Sequence, residues 1–284
     1  MPADWFDMEP AAVRLRSDFA TICRTAPATE IRTCLECVWS MLDRAALWVS
    51  SIHTHLSSNS IDLTVQTSAV LLPTISRQMR SLTYLGRASL DHLPTAMAAA
   101  RSVFEAGLRL AWITAPEDTK DREIRTLSLH NDQVRWKNAV AAEYDNIGVG
   151  GERWRQSAQS QDALVARAMD TIGEPRRLPR IATVRAQLQE LGLDRLYTGY
   201  RLASEYIHGG LSAAFEAEAV KVENNPFGAY WPSDWFLAAN MCAWGCYFIS
   251  PQAGQDFNLG PVRGAMLAAE LMLISPGPGW QQGA

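Results

Sequence analysis

Apolar residues recur every three or four positions along most of the chain. The longest such stripe lies in residues 30–56, where Ile31, Leu35, Val38, Leu42 and Val49 fall on one side. This spacing matches the turn of an α-helix, so the segment is predicted to be a long amphipathic helix. No stretch alternates polar and apolar residues convincingly enough to predict a sheet. The pattern therefore predicts an all-α fold, an antiparallel helical bundle with additional peripheral helices.

The ends of several helices are marked by residues that favour helix starts or stops. Pro94 and Pro116 bracket a helix predicted over residues 95–114. A charge-rich helix over residues 117–144 is expected on the outside of the bundle. Another helix is predicted to begin near residue 62. The remaining predicted helices cover residues 152–172, 181–191, 200–208, 211–222, 235–249 and 264–274. The chain then divides into an N-terminal extension (1–29), a helical bundle domain (30–275) and a flexible tail (276–284).

Composition and charge exclude some classes of protein. A hydrophobic content of 48% with 20% charged residues is ordinary for a soluble globular protein. The formal net charge of −4 argues against a surface that coats nucleic acid. The most apolar run, residues 235–249, is shorter than the about 20 residues that cross a bilayer. No membrane association is predicted, and the absence of a secretory-like start favours the cytoplasm.

Four of the cysteines fall in two closely spaced pairs. Cys34 and Cys37 with Cys242 and Cys246 would supply enough thiolates for a zinc ion. Zinc knuckles usually lie on turns, whereas both pairs lie within apolar helical stripes, where cysteine behaves as a small hydrophobe. These cysteines are expected to pack in the core, and neither a metal nor another cofactor is predicted.

The main candidate chemistry lies in YRLASEYIHGG, residues 200–210. Arg201 and His208 are seven residues apart, so they share a helix face about 10 Å apart along the axis. Glu205 lies between them, and Ser204 is near the same face. A histidine acts as a general acid or base near neutral pH, and an arginine can bind a phosphate. These roles suffice for attack by a ribose 2′-hydroxyl on its own phosphodiester, without a metal.

The same spacing resembles the Arg-x4–6-His motif of HEPN-type ribonucleases, all-helical proteins that commonly join two motifs at a dimer interface. The resemblance implies an RNA substrate and a homodimer, and a toxin or defence setting with a regulatory protein partner is compatible with it. Arg87 with His92 and Arg125 with His130 also match this motif, with four intervening residues each. Spacing alone therefore does not choose among the three pairs.

A second resemblance favours the pair in residues 200–210. The segments ARSVFEAGLRLAW (100–112) and YRLASEYIHGG are similar to the paired motifs of a bacterial family of uncharacterised helical proteins known as DUF5677. In that family an Arg-x3-Glu lies on one apolar helix and a Tyr-x3-Ser-x3-His on a later one. The matching positions here are Arg101, Glu105, Tyr200, Ser204 and His208. The resemblance covers residues 62–217 and implies no particular substrate.

The first of these motifs has a physical requirement of its own. Arg101 and Glu105 lie one turn apart on a helix that is otherwise strongly apolar. Charges on such a helix are costly to bury unless they are paired. They are therefore expected to pair with each other and to face Tyr200, Ser204 and His208. A small polar pocket between two core helices would result.

Three interpretations of this pocket remain open. In a catalytic site, His208 would be the general acid or base and Arg201 or Arg101 the phosphate clamp, with Glu105 and Tyr200 orienting them. Alternatively the pocket binds a small anion or a partner without catalysis. In the third interpretation the polar network only stabilises the fold.

Overall fold

The computed structural model describes residues 28–57, 62–173, 178–207 and 232–255, and within these ranges it contains α-helices and no strand. The all-α prediction is therefore confirmed for the described part of the chain. A short 3-10 helix, Leu90–His92, joins the second helix to the third. The helices are α1 (Ala28–Ser57), α2 (Leu63–Ala88), α3 (Leu93–Thr114), α4 (Thr119–Asn146), α5 (Glu152–Ile172), α6 (Val184–Glu190), α7 (Leu196–Ile207) and α8 (Pro232–Gln255).

Helix α3 lies at the centre of the bundle. It packs most extensively against α8 and α2, and it also contacts α7, α6 and α4, while α1 packs along α2. Its sequence explains this position, because apolar side chains surround most of the helix, as is typical of a buried helix. Ala100, Val103 and Leu108 are completely buried. The bundle is thus built around the helix that carries Arg101 and Glu105.

The backbones of α3 and α8 approach each other closely at a pair of glycines. A Cβ atom on Gly107 would lie 2.5 Å from the carbonyl oxygen of Gly245, and one on Gly245 would lie 2.6 Å from Val103 Cγ1. Neither position has room for a larger residue unless the helices move apart. Because both positions lack a side chain, the backbones of α3 and α8 can pack at this close distance.

Helices α4 and α5 form a hairpin whose base is attached to the bundle. The side chains that bind other helices lie in the first half of α4: Arg125 contacts Trp112, Thr126 bonds Thr64, and His130 contacts α2. Residues 126–129 are buried, so the prediction of an external helix over 117–144 is wrong for this part. Beyond His130 the helix has far fewer buried residues, and it packs chiefly on α5.

The bounds of one predicted helix are confirmed, and the others differ from the structure by a few residues at one or both ends. The helix predicted over residues 152–172 has those bounds, whereas the one predicted over 181–191 is limited to α6, Val184–Glu190. Thr183 makes the helix begin later than predicted, because its hydroxyl forms the N-cap by accepting from the Ala186 backbone N–H. Among the described helices, none has the length and hydropathy needed to cross a membrane.

The predicted helices over residues 211–222 and 264–274 lie outside the described residues, as do the tail and nearly all of the N-terminal extension. The division of the chain into an extension, a bundle domain and a tail stays a prediction.

Candidate functional site

A triad of polar side chains joins α3 to α7. Arg101 Nε donates to Glu105 Oε1 at 2.7 Å, and Arg101 Nη2 donates to the Tyr200 hydroxyl at 2.7 Å. The Tyr200 hydroxyl donates in turn to Glu105 Oε1 at 2.8 Å. The expected pairing of Arg101 with Glu105 is confirmed, and Tyr200 completes it.

Packing holds the Tyr200 ring in place. Its centroid lies 5.9 Å from that of Phe104 on α3 and 6.0 Å from that of Tyr197 on α7, both in stacked arrangements. The guanidinium carbon of Arg101 lies 4.9 Å from the ring centroid, within the range of a cation–π contact. The hydroxyl is thus directed at the Arg101–Glu105 pair by the aromatic neighbours of the ring.

Partial burial sets the protonation of the triad. The side chains of Arg101 and Glu105 are only 23% and 22% exposed. Desolvation and the hydrogen bond to Glu105 raise the pKa of Tyr200, so the tyrosine is a neutral donor at physiological pH. Desolvation lowers the pKa of Arg101, but the bond to Glu105 and its charge outweigh this effect, and the pKa is raised overall. The arginine therefore remains a cation throughout the physiological range.

Among the described residues, those around the triad carry more positive than negative charge. Arg109 Nη2 lies 3.7 Å from Glu105 Oε2, so two arginines share one carboxylate. The guanidinium carbon of Arg185 lies 5.6 Å from the ring centroid of Tyr197, and in the described ranges it has no carboxylate partner. Three arginines and one glutamate thus surround the Tyr197–Tyr200 stack. Arginines beside aromatic faces suit an anionic ligand.

The other predicted residues of α7 do not join the triad. Ser204 donates its hydroxyl to the Tyr200 backbone oxygen at 2.9 Å, within its own helix, and no described hydrogen bond joins it to Arg101 or Glu105. Arg201 and Glu205 are exposed, and along the described length of α7 no ion pair joins them. His208 lies outside the described residues, and its predicted role stays a prediction.

The pair Arg87 and His92 is not arranged as an active site. Arg87 bridges two carboxylates of α1, with its guanidinium 2.8 Å from Glu36 Oε1 and 2.7 Å from Asp43 Oδ2. These partners raise the pKa of Arg87. His92 is exposed on the 3-10 helix that precedes α3. The arginine of this pair is therefore occupied in joining α1 to α2.

Arg125 and His130 do not form a joint site either, because their side chains contact different helices. Arg125 donates to the Trp112 backbone oxygen at 2.8 Å and lies over the indole ring, 4.7 Å from its centroid. His130 faces α2 and α5 instead, with Nε2 at 2.8 Å from Thr67 Oγ1 and Nδ1 at 3.0 Å from Gln161 Nε2. An offset of five residues places the two side chains on different faces of α4.

His130 belongs to a directional hydrogen-bond chain that the sequence did not reveal. Lys137 Nζ donates to Gln161 Oε1, which leaves the Gln161 amide to donate to His130 Nδ1. His130 Nε2–H can then donate to Thr67, whose hydroxyl donates to the Leu63 backbone oxygen at 2.8 Å. Burial and the charge of Lys137 lower the pKa of His130. The chain therefore holds a neutral imidazole that links three helices.

The cysteines have mixed environments. Cys242 and Cys246 are fully buried, as expected, whereas Cys37 is exposed, so the prediction of core packing is wrong for it. Burial raises the pKa of the Cys246 thiol to about 12. Across the described segments, no three His, Cys, Asp or Glu side chains converge as a metal site requires.

Comparison of the chain with models of protein families, with characterised proteins and with solved structures finds no match in any of the three. The function must therefore be argued from the geometry of the site.

Proposed function

We propose that the α3–α7 site binds a phosphate-bearing ligand and that the protein is a metal-independent ribonuclease of HEPN type. The observation that carries the proposal is the group of three arginines, Arg101, Arg109 and Arg185, beside which Glu105 is the carboxylate that the described residues supply. Arg201 adds an exposed cation on the same short helix as Tyr200. A surplus of arginine supports binding of a phosphodiester, which these side chains can contact through paired N–H donors.

In this proposal the hydrogen-bonded arginine and the exposed arginine of the site have different roles. Arg101 is engaged by Glu105 and Tyr200, so in this proposal it positions α7 against α3. Arg201, which is exposed, contacts the phosphate. His208 accepts the proton of the ribose 2′-hydroxyl as that oxygen attacks phosphorus, and the resulting imidazolium gives this proton to the departing 5′-oxygen as the P–O bond breaks. The products are a 2′,3′-cyclic phosphate and a 5′-hydroxyl.

A second candidate function is non-catalytic binding of a small anion. The observation in its favour is that Arg101, Glu105 and Tyr200 hydrogen-bond one another in a closed triad. A polar network of this kind can fix two helices in register without contacting any substrate. In this case Arg109 and Arg185 hold an anion such as phosphate at the edge of the tyrosine stack, and the triad stabilises the fold.

Cleavage of a labelled RNA pool in EDTA tests the first candidate. The full chain is expected to cleave RNA, and both Arg201→Ala and His208→Ala are expected to remove the activity while circular dichroism shows that they remain folded. Arg80→Ala is the matched control, because Arg80 is an exposed arginine on α2. No cleavage by the unaltered protein, or equal loss in the control, would contradict the ribonuclease proposal.

Binding of inorganic phosphate and of an oligonucleotide, measured by calorimetry, separates the two candidates. Both predict weaker binding in Arg109→Ala and Arg185→Ala than in Arg80→Ala. Binding without cleavage supports the small-anion protein. If neither anion binds, both candidates are wrong, and the triad serves the fold alone.

A further inference from the structure

Exposed apolar side chains gather at the free end of the α4–α5 hairpin. Trp136 is 51% exposed, Tyr144 39%, Ile147 71% and Val149 65%. Trp154 at the start of α5 joins the first two, with its ring centroid 5.3 Å from that of Trp136 and 6.3 Å from that of Tyr144. These five residues are called the tip patch. It is an aromatic surface on a part of the hairpin that packs chiefly on itself.

The tip patch is as large as the apolar patches that often serve as interaction sites. Side chains of this size with these exposed fractions present on the order of 400 Å² of apolar surface, which is comparable to the largest patch of a typical monomer. A specific dimer buries about 800 Å² on each partner. The tip patch can therefore supply the apolar centre of a small interface, with the polar residues around it supplying the remainder.

The charges around the tip patch indicate which partner fits it. Between residues 132 and 162 the basic side chains are Arg135, Lys137, Arg153 and Arg155, and the acidic ones are Asp132, Glu143, Asp145, Glu152 and Asp162. Four basic against five acidic residues leave this region nearly neutral. Nucleic acid requires a basic surface, so it is a poor match. A surface that carries both signs can instead be complementary to itself.

On the side of α4 that carries Trp136 the exposed charges are acidic, whereas the residues next to Trp154 on α5 are arginines. Asp132 and Glu143 lie four residues before and seven after Trp136, hence on the same side of α4 as the indole. Arg153 directly precedes Trp154 on α5. In the described part of the chain, none of these three charged side chains forms an ion pair, and all three are exposed. A two-fold axis through the tip patch would place α4 of one copy beside α5 of the other, acid against arginine.

We infer that the tip patch is a self-association surface, through which two copies of this chain pack their α4–α5 hairpins about a two-fold axis. The interface lies outside the α3–α7 site and includes none of its residues. Its small apolar centre gives a dimer that dissociates on dilution. The inference stands whether or not the protein cleaves RNA.

Sedimentation of the full chain between about 1 and 100 µM tests this inference. The protein is expected to shift from monomer to dimer over this range, and Trp136→Lys is expected to weaken the dimer by at least about tenfold. Tyr84→Lys is the matched control, because Tyr84 is 74% exposed on α2, away from the tip patch. A monomer at every concentration, or a dimer that both substitutions affect equally, would overturn the inference.

A charge exchange tests the two-fold packing directly. Glu143→Arg and Arg153→Glu are each expected to weaken the dimer, and the double variant is expected to restore it. Failure of the double variant to restore it would overturn the arrangement of α4 beside α5.

Discussion

The hydroxyl of Tyr200 is expected to contribute measurably to stability, and Tyr200→Phe isolates that contribution. The substitution keeps the ring between Phe104 and Tyr197 but removes the bond accepted from Arg101 and the bond donated to Glu105. Hydrogen bonds to charged groups contribute about 1.5–3 kcal/mol each. Two considerations reduce the sum here. The side chains of Arg101 and Glu105 are more than a fifth exposed, and they remain paired with each other in the variant.

The expected loss is therefore about 2 kcal/mol of unfolding free energy. For a chain of 284 residues that corresponds to a fall of about 3 °C in melting temperature. Urea unfolding followed by circular dichroism measures the first quantity, and calorimetry the second.

Tyr197→Phe is the control for this experiment. Tyr197 stacks on the same ring, but its hydroxyl makes no hydrogen bond to any described residue. Its removal is expected to change stability by less than about 0.5 kcal/mol. If Tyr200→Phe were no more destabilising than Tyr197→Phe, the triad would not be a significant link between α3 and α7.

Two further predictions concern other parts of the bundle. Gly107→Ala places a Cβ atom 2.5 Å from the Gly245 carbonyl oxygen, which forces α3 and α8 apart. The free-energy cost of this separation is expected to exceed the about 1 kcal/mol by which alanine stabilises a helix relative to glycine. A net loss of about 1–2 kcal/mol in urea unfolding is expected. His130 has a lowered pKa in the folded chain, so as pH falls below its ordinary value of 6.5 the unfolded state takes up the proton first and stability declines. The decline levels off once the folded-state pKa is passed.

Each of these predictions has an internal comparison. Ser102→Ala, at an exposed position of α3, is expected to leave stability nearly unchanged, and an equal loss there would contradict the account of Gly107. For His130, unfolding free energies are measured between about pH 5 and 7.5 beside His130→Gln. The variant should lose part of the dependence on pH, and an identical slope would show that the imidazole is not held neutral.

The helices and the Arg101–Glu105 pair could be predicted because each follows from a local requirement. A stripe of apolar residues must be buried, and two opposite charges one turn apart on an apolar helix must neutralise each other. The sequence also placed Tyr200 opposite them, although only through a resemblance of short motifs.

Other features could not be predicted, because the pattern along one helix does not fix which partner a side chain takes. Ser204 bonds a backbone oxygen one turn earlier, so its hydroxyl has a partner within its own helix. Cys37 was assigned to the core with its neighbours, although the next position, Val38, occupies the buried side of α1. The His130 chain joins residues more than sixty and thirty positions apart, and no pattern along one helix reveals such contacts.

The central position of α3 has a consequence for how the chain folds as it is synthesised. The helix is complete at Thr114, but α8, with which it packs most extensively, begins only at Pro232. The bond from Trp235 Nε1 to the Leu90 backbone oxygen spans 145 residues. At about 5–20 residues per second, α8 follows α3 on the order of ten seconds later. For that interval the side of α3 around Gly107 lacks its main partner. The rate of translation, and not the rate of helix formation, therefore limits when the core can be completed.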